Sequence, residues 1–464
     1  MTAGVAVRPP VGTSPDTVRE AIEAYHDGLT DVVAADSQAV LDAQTQRREL
    51  FFGDRPLCTV LRPRFMSPPQ YCLLQDRAAL LLGAFRRAYE AALSSREVRS
   101  QFRLTSWEAE LVLDDPGFPW PSPVSRLDAF FAGHDGLRFT EYNAETPAGP
   151  SFNDVLTEMF YALPAMRAFL RQWDVRPLPA RHNVLHALLD AYHAWSGTRA
   201  LPRIAVVDWL DVPTRREFTL FQEYAERQGV HCVVVDPRDA DLRAGTLYFG
   251  AEPIDLIYKR VLISELIERC GVDHAMVQAV RGRAVCMVNP FACKILHKKA
   301  SLAVLSDERN TGLYTPTQRE VIAAHIPWTR VVEERRTTRD GLPVDLLPYI
   351  AEHKDQLVLK PNDEYGGKGI VLGWEVSDTD WSNALRTALE EPYIVQERIA
   401  LPSEPYPSMM DGKLFIADRM LDTAPYVVYG QYVDGCLTRL STAALLNVTA
   451  GGGSSVPTML VEKR

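Results

Sequence analysis

The sequence has no long apolar run, no clustered cysteines and no excess of basic residues. No stretch of the 464 residues approaches the ~20 consecutive apolar positions of a membrane-spanning helix. The N-terminus lacks a basic region followed by an apolar core, which disfavours a secretory signal. The seven cysteines are scattered, without a Cys-x-x-Cys pair or a histidine at metal-ligand spacing. We therefore expect a cytoplasmic protein with reduced cysteines and no membrane partner.

Charge and composition narrow the class of protein further. The formal net charge is −10, whereas a general nucleic-acid-binding face needs clustered Lys and Arg, so no nucleic-acid partner is expected. The hydrophobic share of 46% and the charged share of 24% are ordinary for a globular protein. The length predicts about two to four structural units. Only the first fifteen residues, which are rich in Pro and Gly, favour disorder.

Three oxygen-bearing side chains lie on two neighbouring apolar stretches between positions 125 and 149. Glu141 and Asn143 flank Tyr142, so a strand would place both on the same face. Asp128, on the preceding stretch, would supply a third oxygen. Carboxylate and amide oxygens suit Mg²⁺ held beside nucleotide phosphates. A hairpin with ordinary surface carboxylates is the alternative interpretation.

A glycine-rich loop follows a strand that carries a lysine. Lys360 ends an apolar run, and Gly-Gly-Lys-Gly comes before a second apolar run. Glycines allow backbone N–H groups to approach phosphate oxygens closely. The loop matches neither a Walker A motif nor Gly-x-Gly-x-x-Gly, and a plain β-hairpin is the alternative. A further apolar strand, residues 391–400, contains the pair Gln-Glu.

These pieces together resemble the ATP-grasp superfamily. A usual ATP-grasp chain has its lysine strand, glycine-rich loop and Gln-Glu strand before its metal ligands, whereas here the metal set comes first. This order resembles the circularly permuted ATP-grasp proteins, which include the glutathionylspermidine synthases. The segments similar to that family's motifs are Arg126-x-Asp128, FTEYNAETPAG and NPFACKILHKKASLAVL at residues 289–305. The resemblance spans residues 40 to 464.

The resemblance implies roles for particular residues. Arg126 would neutralise charge on the transferred phosphoryl group, with a surface ion pair as its alternative. Lys299 would contact ATP, although the adjacent Lys298 carries the same charge and the sequence does not select between them. Glu397 would meet the nucleoside or else face water at a strand end. The implied ligands are Asp128, Glu141 and Asn143 for Mg²⁺; Lys299, Lys360, Gly366, Gly367, Lys368, Gly369, Gln396 and Glu397 for ATP; and Arg260 and Gly452 for the substrate.

Two of these assignments have simple structural alternatives. Arg260 would hold a substrate carboxylate, or it is a charged residue at the end of an apolar strand. The loop around Gly452 would close over an acyl phosphate with backbone donors, or it is a flexible turn.

The predicted fold class is α/β of the mixed α+β kind, a circularly permuted ATP-grasp protein with N-terminal helices and a Rossmann-like pre-ATP-grasp unit. Apolar periodicity predicts helices in 15–50 and 74–98 and a helix from about Asn153, capped by Ser151. Short runs between 101 and 143, including RLTSWEAELVL, predict strands, and 202–262 predicts a parallel sheet with a helix. The tail predicts antiparallel strands. The expected units are 1–100 (helical), 101–200 (metal set), 201–290 (Rossmann-like) and 291–464 (lid and C-terminal part).

The resemblance implies an ATP-dependent C–N ligase that joins a carboxylate to an amine through an acyl phosphate. The expected partners are a small-molecule or peptide carboxylate and an amine, and the sequence does not indicate the oligomeric state. There is no room for the amidase domain of bifunctional glutathionylspermidine synthases, and no residue pattern selects glutathione. The alternatives are an ATP-grasp phosphotransferase and a non-catalytic nucleotide-binding protein.

Overall fold

A computed structural model describes residues 15–132, 136–364, 366–442 and 453–464, which form a mixed α/β protein with several sheets, as predicted. The helices are α1 Pro15–Asp27, α2 Asp31–Arg48, α3 Pro68–Ser94, α4 Arg96–Ser100, α5 Ser106–Leu111, α6 Pro150–Ala162, α7 Pro164–Phe169, α8 Arg181–Ser196, α9 Arg215–Arg227, α10 Ile263–Cys270, α11 Ala275–Arg281, α12 Cys293–His297, α13 Ala300–Ser306, α14 Pro316–His325, α15 Leu346–Glu352 and α16 Asp378–Glu390. The strands are β1 Phe51–Phe52, β2 Arg55–Pro56, β3 Arg64–Met66, β4 Val124–Ala132, β5 Gly136–Asn143, β6 Trp173–Pro177, β7 Ile204–Val207, β8 Cys232–Val235, β9 Ala240–Arg243, β10 Thr246–Phe249, β11 Glu252–Ile254, β12 Leu256–Lys259, β13 Cys286–Val288, β14 Thr329–Val331, β15 Arg336–Arg339, β16 Leu342–Asp345, β17 Leu357–Pro361, β18 Val371–Leu372, β19 Tyr393–Glu397, β20 Ser403–Met410, β21 Lys413–Leu421, β22 Ala424–Val428, β23 Tyr432–Ser441 and β24 Ser454–Lys463.

The largest sheet, the central sheet, joins the β4–β5 pair to the tail strands. Its order is β20-β21-β23-β22-β4-β5, and β24 extends it from β23 towards β3 and β6. Neighbours from β20 to β5 run antiparallel, which confirms the prediction for the tail. The C-terminal strands therefore lie beside the strands that carry the metal set.

A second sheet, the parallel sheet, has the order β13-β12-β7-β8, and its strands all run parallel, as expected for 202–262. Strands β9, β10 and β11 of the same span depart from this expectation, because they form a separate antiparallel sheet. Every residue of β7 and β12 is buried, because helices α8 and α9 pack on one face and α10 and α11 on the other. Such double coverage is typical of parallel sheets. It also carries the polar end of β12, Lys259, into the interior.

A third sheet, the lid sheet, has the order β14-β19-β17-β18 and is antiparallel. Leu359 and Val395 face a core closed by the buried Trp381 of α16. Strand side chains alternate between faces. Lys360, one residue after Leu359, therefore points away from that core, and the glycine-rich loop connects β17 to β18.

Some predicted elements were wrong. RLTSWEAELVL contains helix α5 rather than a strand, because Thr105 and Glu108 form a reciprocal capping box. The helix predicted from Asn153 begins at Pro150, and Gly149 rather than Ser151 is its N-cap, with φ 108°. Pro164 then divides the predicted helix into α6 and α7.

All seven cysteines are unpaired, and none of the described helices is long and apolar enough to cross a membrane.

One buried amide links the parallel sheet to the central sheet. Asn289, which follows β13, is 2% exposed. Its Nδ2 lies 2.6, 3.0 and 2.8 Å from the carbonyl oxygens of Val124, Ala144 and Glu145. Its Oδ1 accepts from the backbone N–H of Val124 at 3.2 Å. Asn289 therefore joins the end of β13 to the start of β4 and to the segment after β5, where Ser122 also donates to the carbonyl of Ala144 at 2.6 Å.

We predict that Asn289→Leu lowers the free energy of unfolding by roughly 3 kcal/mol or more, since each buried polar group left unpaired costs ~1–3 kcal/mol. Urea denaturation followed by circular dichroism measures the loss. Asn383→Leu, on the exposed face of α16, is the matched control and should change stability by less than about 0.5 kcal/mol. Equal stability of the two variants would contradict this role for Asn289.

Candidate functional site

A cleft of about 630 Å³ opens between the lid sheet and the central sheet. Its apolar end contains Val358, Ile370, Leu372, Trp374 and Met420, beside the segment 396–401. Its polar end is lined by Asp128, Glu141, Lys360, Asp422 and Arg439. The cleft thus combines a narrow apolar slot with a charged floor.

Asp128 and Glu141, two of the predicted metal ligands, line the polar end, and Asn143 lies beside Asp128. In the register of β4 and β5, Asp128 lies opposite Glu141 and Arg126 lies opposite Asn143. Directly opposed residues of an antiparallel pair share a face. Nδ2 of Asn143 also donates to Oδ2 of Asp128 at 3.0 Å. The alternation of side chains along β5 therefore places Glu141 and Asn143 on the face that Asp128 shares.

Two arginines neutralise Asp128. Nε and Nη2 of Arg126 donate to its two carboxylate oxygens at 2.6 and 3.0 Å. Nη2 of Arg439 donates to Oδ2 at 2.7 Å, and Arg439 also pairs with Asp422 at 2.6 Å. Burial alone would raise the pKa of the Asp128 carboxyl, but Arg126 and Arg439 hold it below its ordinary value. Asp128 is therefore a fully ionised oxygen donor at neutral pH.

Lys299 neutralises Glu141. The two charged atoms are 2.8 Å apart, and Nζ of Lys299 also donates to the carbonyl of Glu364 at 2.6 Å. Burial would raise the pKa of Glu141, but Lys299 outweighs it and the net shift is downward. Lys298 instead pairs with Glu108 at 2.7 Å, away from the cleft. Of the two adjacent lysines, Lys299 is the one beside the metal set.

Lys360 and the Gln-Glu strand lie across the cleft from the metal set. Nζ of Lys360 donates to Oε1 of Gln396 at 2.7 Å. Desolvation lowers the pKa of Lys360 to about 8, although Glu141 acts in the opposite direction. Glu397 lines the cleft, but its carboxylate is engaged by Arg339 at 2.8 Å and by the backbone N–H of Trp328 at 3.2 Å. Each carboxylate oxygen of Glu397 thus already accepts one hydrogen bond and has a further lone pair for a ligand in the cleft.

The glycine-rich loop, residues 363–369, contributes Gly366 and Gly367 to the cleft lining. Both have positive φ, 65° and 77°, a conformation that other residues adopt only with strain. Gly369 (φ 71°) packs against Pro361, where a Cβ atom would lie 2.6 Å from the ring. Lys368 points to solvent, 77% exposed beside Glu364. The loop thus presents backbone rather than its lysine to the cleft.

Arg260 does not line this cleft. Its Nη1 donates to the carbonyl of Pro147 at 2.5 Å, its Nη2 lies 3.8 Å from Glu217, and it is 6% exposed. Nη1 of Arg126 donates to the next carbonyl, that of Ala148, at 2.8 Å. The two arginines therefore flank one short turn of chain. Gly452 lies outside the described residues.

A buried ionic network, which the sequence analysis did not predict, lies beneath the site. Glu145 is 0% exposed and accepts from Lys259 at 2.8 Å, from Lys294 at 3.0 Å and from the N–H of Ile263 at 2.7 Å. Burial alone would raise the pKa of Glu145, but the two lysines hold it well below its usual value. Desolvation and the adjacent Lys294 lower the pKa of His297 to about 4, so this imidazole is neutral.

Arg439 and Asp422 were also missed by the sequence analysis. Both lie in the tail, where the pattern indicated only antiparallel strands. For Arg439, a charged residue within the apolar strand β23 was the available signal, as it was for Lys360. Both residues lie near Asp128 because β22 pairs with β4 and brings the tail strands beside the metal set.

The donor set at the polar end fits Mg²⁺. Asp128 and Glu141 supply carboxylate oxygens and Asn143 an amide oxygen, all hard donors of the kind that magnesium prefers. In the described residues no three His, Cys, Asp or Glu side chains form a metal-binding group.

The fold is of the glutathione synthetase-like class. A glutathione synthetase-like effector from Globodera pallida, solved in its apo form, matches 92% of this chain and 96% of its own length, with a TM-score of 0.58 and 12% identity. That likeness establishes the fold alone. No model of a protein family matches the chain.

Two curated relatives match part of the sequence. A protein of Mycobacterium tuberculosis described as uncharacterized is 28% identical over 251 residues, which cover 50% of this chain and 42% of that protein. A protein of Frankia alni provisionally named glutamate–cysteine ligase is 25% identical over 217 residues, 43% of this chain and 23% of that protein. The chain therefore matches less than half the length of these relatives.

We predict that Glu145→Gln lowers the free energy of unfolding by about 3–5 kcal/mol at neutral pH, because Lys259 and Lys294 would lose their buried counter-charge. A carboxylate with a depressed pKa stabilises the fold above its unfolded pKa of about 4.5 and loses that contribution as the pH falls. The difference between wild type and variant should therefore shrink below pH 4.5.

Chemical denaturation at several pH values measures this difference. Glu462→Gln, which removes one exposed partner of Arg176, is the control and should cost less than about 1 kcal/mol. A Glu145→Gln protein as stable as the wild type at neutral pH would show that the network does not hold the fold.

Proposed function

We propose that this protein is an ATP-dependent carboxylate–amine ligase of the circularly permuted ATP-grasp type. The observation that carries the proposal is the facing pair of Asp128 and Glu141 on the floor of a cleft whose opposite wall bears Lys360 and a glycine-rich loop. In this proposal the parallel sheet belongs to a Rossmann-like pre-ATP-grasp unit. The unit boundaries near residues 100, 200 and 290 are part of the same proposal.

The cleft supports a nucleotide orientation. The apolar slot around Val358, Leu372 and Trp374 suits a flat base, while the phosphates would lie towards the charged end. There Lys299 and Lys360 offer ammonium groups, and Gly366 and Gly367 offer backbone N–H groups. Asp128, Glu141 and Asn143 would hold Mg²⁺, which when bound supplies positive charge to the β- and γ-phosphates.

The chemistry follows from charge placement. A carboxylate oxygen of the substrate attacks the γ-phosphorus, the bond from that phosphorus to the bridging oxygen breaks, and ADP leaves. The amine nitrogen then attacks the acyl carbon, loses a proton and displaces phosphate. Arg126 and Arg439 stand beside Asp128, where charge on the transferred phosphoryl group would be neutralised. Lys360, already in the cleft, orients the nucleotide without entering the bond changes.

The substrate class is proposed from chemistry and from the names of the similar proteins. Glutathione synthetase and glutamate–cysteine ligase name reactions that join an amino-acid carboxylate to an amine. We propose an amino-acid or peptide carboxylate and a small amine for this chain. The proposed carboxylate holder is Arg260. Because it is 6% exposed and does not line the cleft, the segment at Pro147 would have to move and release the guanidinium before it could meet the substrate.

The first prediction from this proposal concerns products. Incubation with ATP, Mg²⁺ and pools of amino acids, peptides and polyamines should release ADP and phosphate and form an amide detectable by mass spectrometry. AMP and pyrophosphate would exclude the acyl-phosphate route. A phosphorylated product without an amide would identify a phosphotransferase, and ATP binding without turnover in every pool would favour a non-catalytic protein.

The second prediction concerns the metal set. Glu141→Gln and Asn143→Ala should each reduce turnover by at least about 100-fold, as expected when preorganised charge at a phosphoryl group is lost. Both should keep the wild-type circular dichroism spectrum, although Glu141→Gln should lower the free energy of unfolding because it removes the counter-charge of the buried Lys299. The stabilisation that Mg²⁺–ATP gives in a thermal shift assay should also fall.

Glu158→Gln is the matched control, since it makes the same change at a carboxylate that pairs with Arg48 and Arg181 on the surface. Turnover in Glu141→Gln equal to that of Glu158→Gln would remove the metal set from the mechanism.

A further inference from the structure

The beginning of the glycine-rich loop is attached to the segment 294–300 through Asn362. The carbonyl of Asn362 accepts from the N–H of Lys299 at 2.9 Å, and its Oδ1 accepts from the N–H of Ala300 at 2.9 Å. Its Nδ2 donates to the carbonyl of Phe102 at 3.0 Å. Asn362 is 3% exposed. The loop therefore starts from a fixed point beside the cation that neutralises Glu141.

The next residue, Asp363, spans two buried lysines. Its Oδ1 lies 2.8 Å from Nζ of Lys294 and its Oδ2 lies 2.9 Å from Nζ of Lys298. The lysine side chains are 1% and 3% exposed, whereas that of Asp363 is 25% exposed. The carboxylate of Asp363 thus extends from a partly exposed loop into the interior. There it contacts two ammonium groups that are buried and so have no access to solvent.

Lys294 connects this contact to the central sheet. The same Nζ lies 3.0 Å from Glu145, two residues after the end of β5. Glu108 of α5 lies 2.7 Å from Lys298 and so supports the second lysine. The charges of Glu108, Glu145 and Asp363 balance those of Lys259, Lys294 and Lys298. Moving Asp363 away would leave three buried ammonium groups with only two carboxylates, and such an excess of buried positive charge is costly.

We propose that Asp363 is a positioning residue that holds the glycine-rich loop at the distance needed for its backbone N–H groups to meet nucleotide phosphates. This inference rests on the proposed function. Gly366, Gly367 and Gly369 give the loop wide conformational freedom, so its position has to be fixed from outside the glycines. Asp363, held through Lys294 and Lys298, supplies that constraint and does not itself line the cleft.

The proposal makes a distinction between parts of the ligand. Fixing the loop should matter for phosphates far more than for the base, because of the residues in the apolar slot only Ile370 adjoins the loop, while the others lie on β17, β18, β21, Trp374 and the segment 396–401. A residue important only for folding would weaken binding of every ligand in the cleft. Adenosine, ADP and ATP therefore separate the two roles.

The experiment is calorimetric titration of Asp363→Asn with adenosine, ADP and ATP in the presence of Mg²⁺. Asparagine keeps the shape and removes the charge. The dissociation constants for ADP and ATP should rise about tenfold, in the range seen when supporting partners of a site are removed, and that for adenosine should stay at the wild-type value. Asp378→Asn, in the same lid and 91% exposed beside Lys354, is the control and should bind all three as the wild type does.

Equal weakening of adenosine and ATP, or wild-type affinity for all three, would overturn the positioning role. If wild type binds adenosine and ATP equally or binds neither, the proposed function fails instead. Should Asp363→Asn not fold, the double variant Asp363→Asn/Lys298→Gln keeps the buried charges balanced and tests the same loss. Hydrogen exchange at residues 366–369 should be faster in either variant without ligand, and unchanged exchange would also contradict the proposal.

Discussion

Burial of an ionised carboxylate is the constraint on which the arrangement of this chain depends. Removing Glu145 from water costs several kcal/mol unless cations meet it inside the protein. Lys259, at the end of a parallel strand, and Lys294, on a short helix, provide that match. The end of β5, the parallel sheet and the segment before Lys299 are therefore joined by charge as well as by apolar packing. The ion pair of Glu141 and Lys299 beside the cleft is held by the same two segments, because these residues lie a few positions away from Glu145 and Lys294.

The cleft contains its opposite charges already in contact. Asp128 is paired with two arginines and Glu141 with a lysine. In the proposed reaction, magnesium and phosphate would exchange these ion pairs for others rather than bring charges in from water. Groups held in place before the reaction need little reorganisation during it, which is how preorganised sites lower a barrier. These ion pairs also explain why so many ionisable groups can lie close together in one cleft, since each buried charge has a partner of opposite sign.

The local alternation of apolar and polar residues was sufficient to predict the strands of the β4–β5 pair, of the parallel sheet and of the β17–β18 hairpin in the lid sheet. Alternation put Glu141 and Asn143 on one face, and an apolar run ending in Lys360 identified the facing strand. Helix α5 was missed although Thr105 and Glu108 carried its capping signal, because the apolar run outweighed it in the interpretation. Arg439 and Glu145 could not be found this way. Arg439 reaches Asp128 through the pairing of tail strands with β4, and Lys259 and Lys294 look like ordinary lysines until the fold buries them. Contacts between distant segments are set by tertiary packing, which local periodicity does not encode.

The opposition of Asp128 and Glu141 limits how this sequence can diverge. Side chains alternate along a strand, so an insertion of one residue between Arg126 and Asp128, or between Glu141 and Asn143, would turn part of the set to the other face. Beyond these pairs the register already shifts by one residue, because Thr140 lies between the pairs Asp128–Glu141 and Ala129–Phe139. Homologous chains should therefore vary in length at the connection between the two strands, while the spacings from Arg126 to Asp128 and from Glu141 to Asn143 stay constant. Those two spacings separate chains that keep the paired carboxylates from chains that have only the surrounding fold.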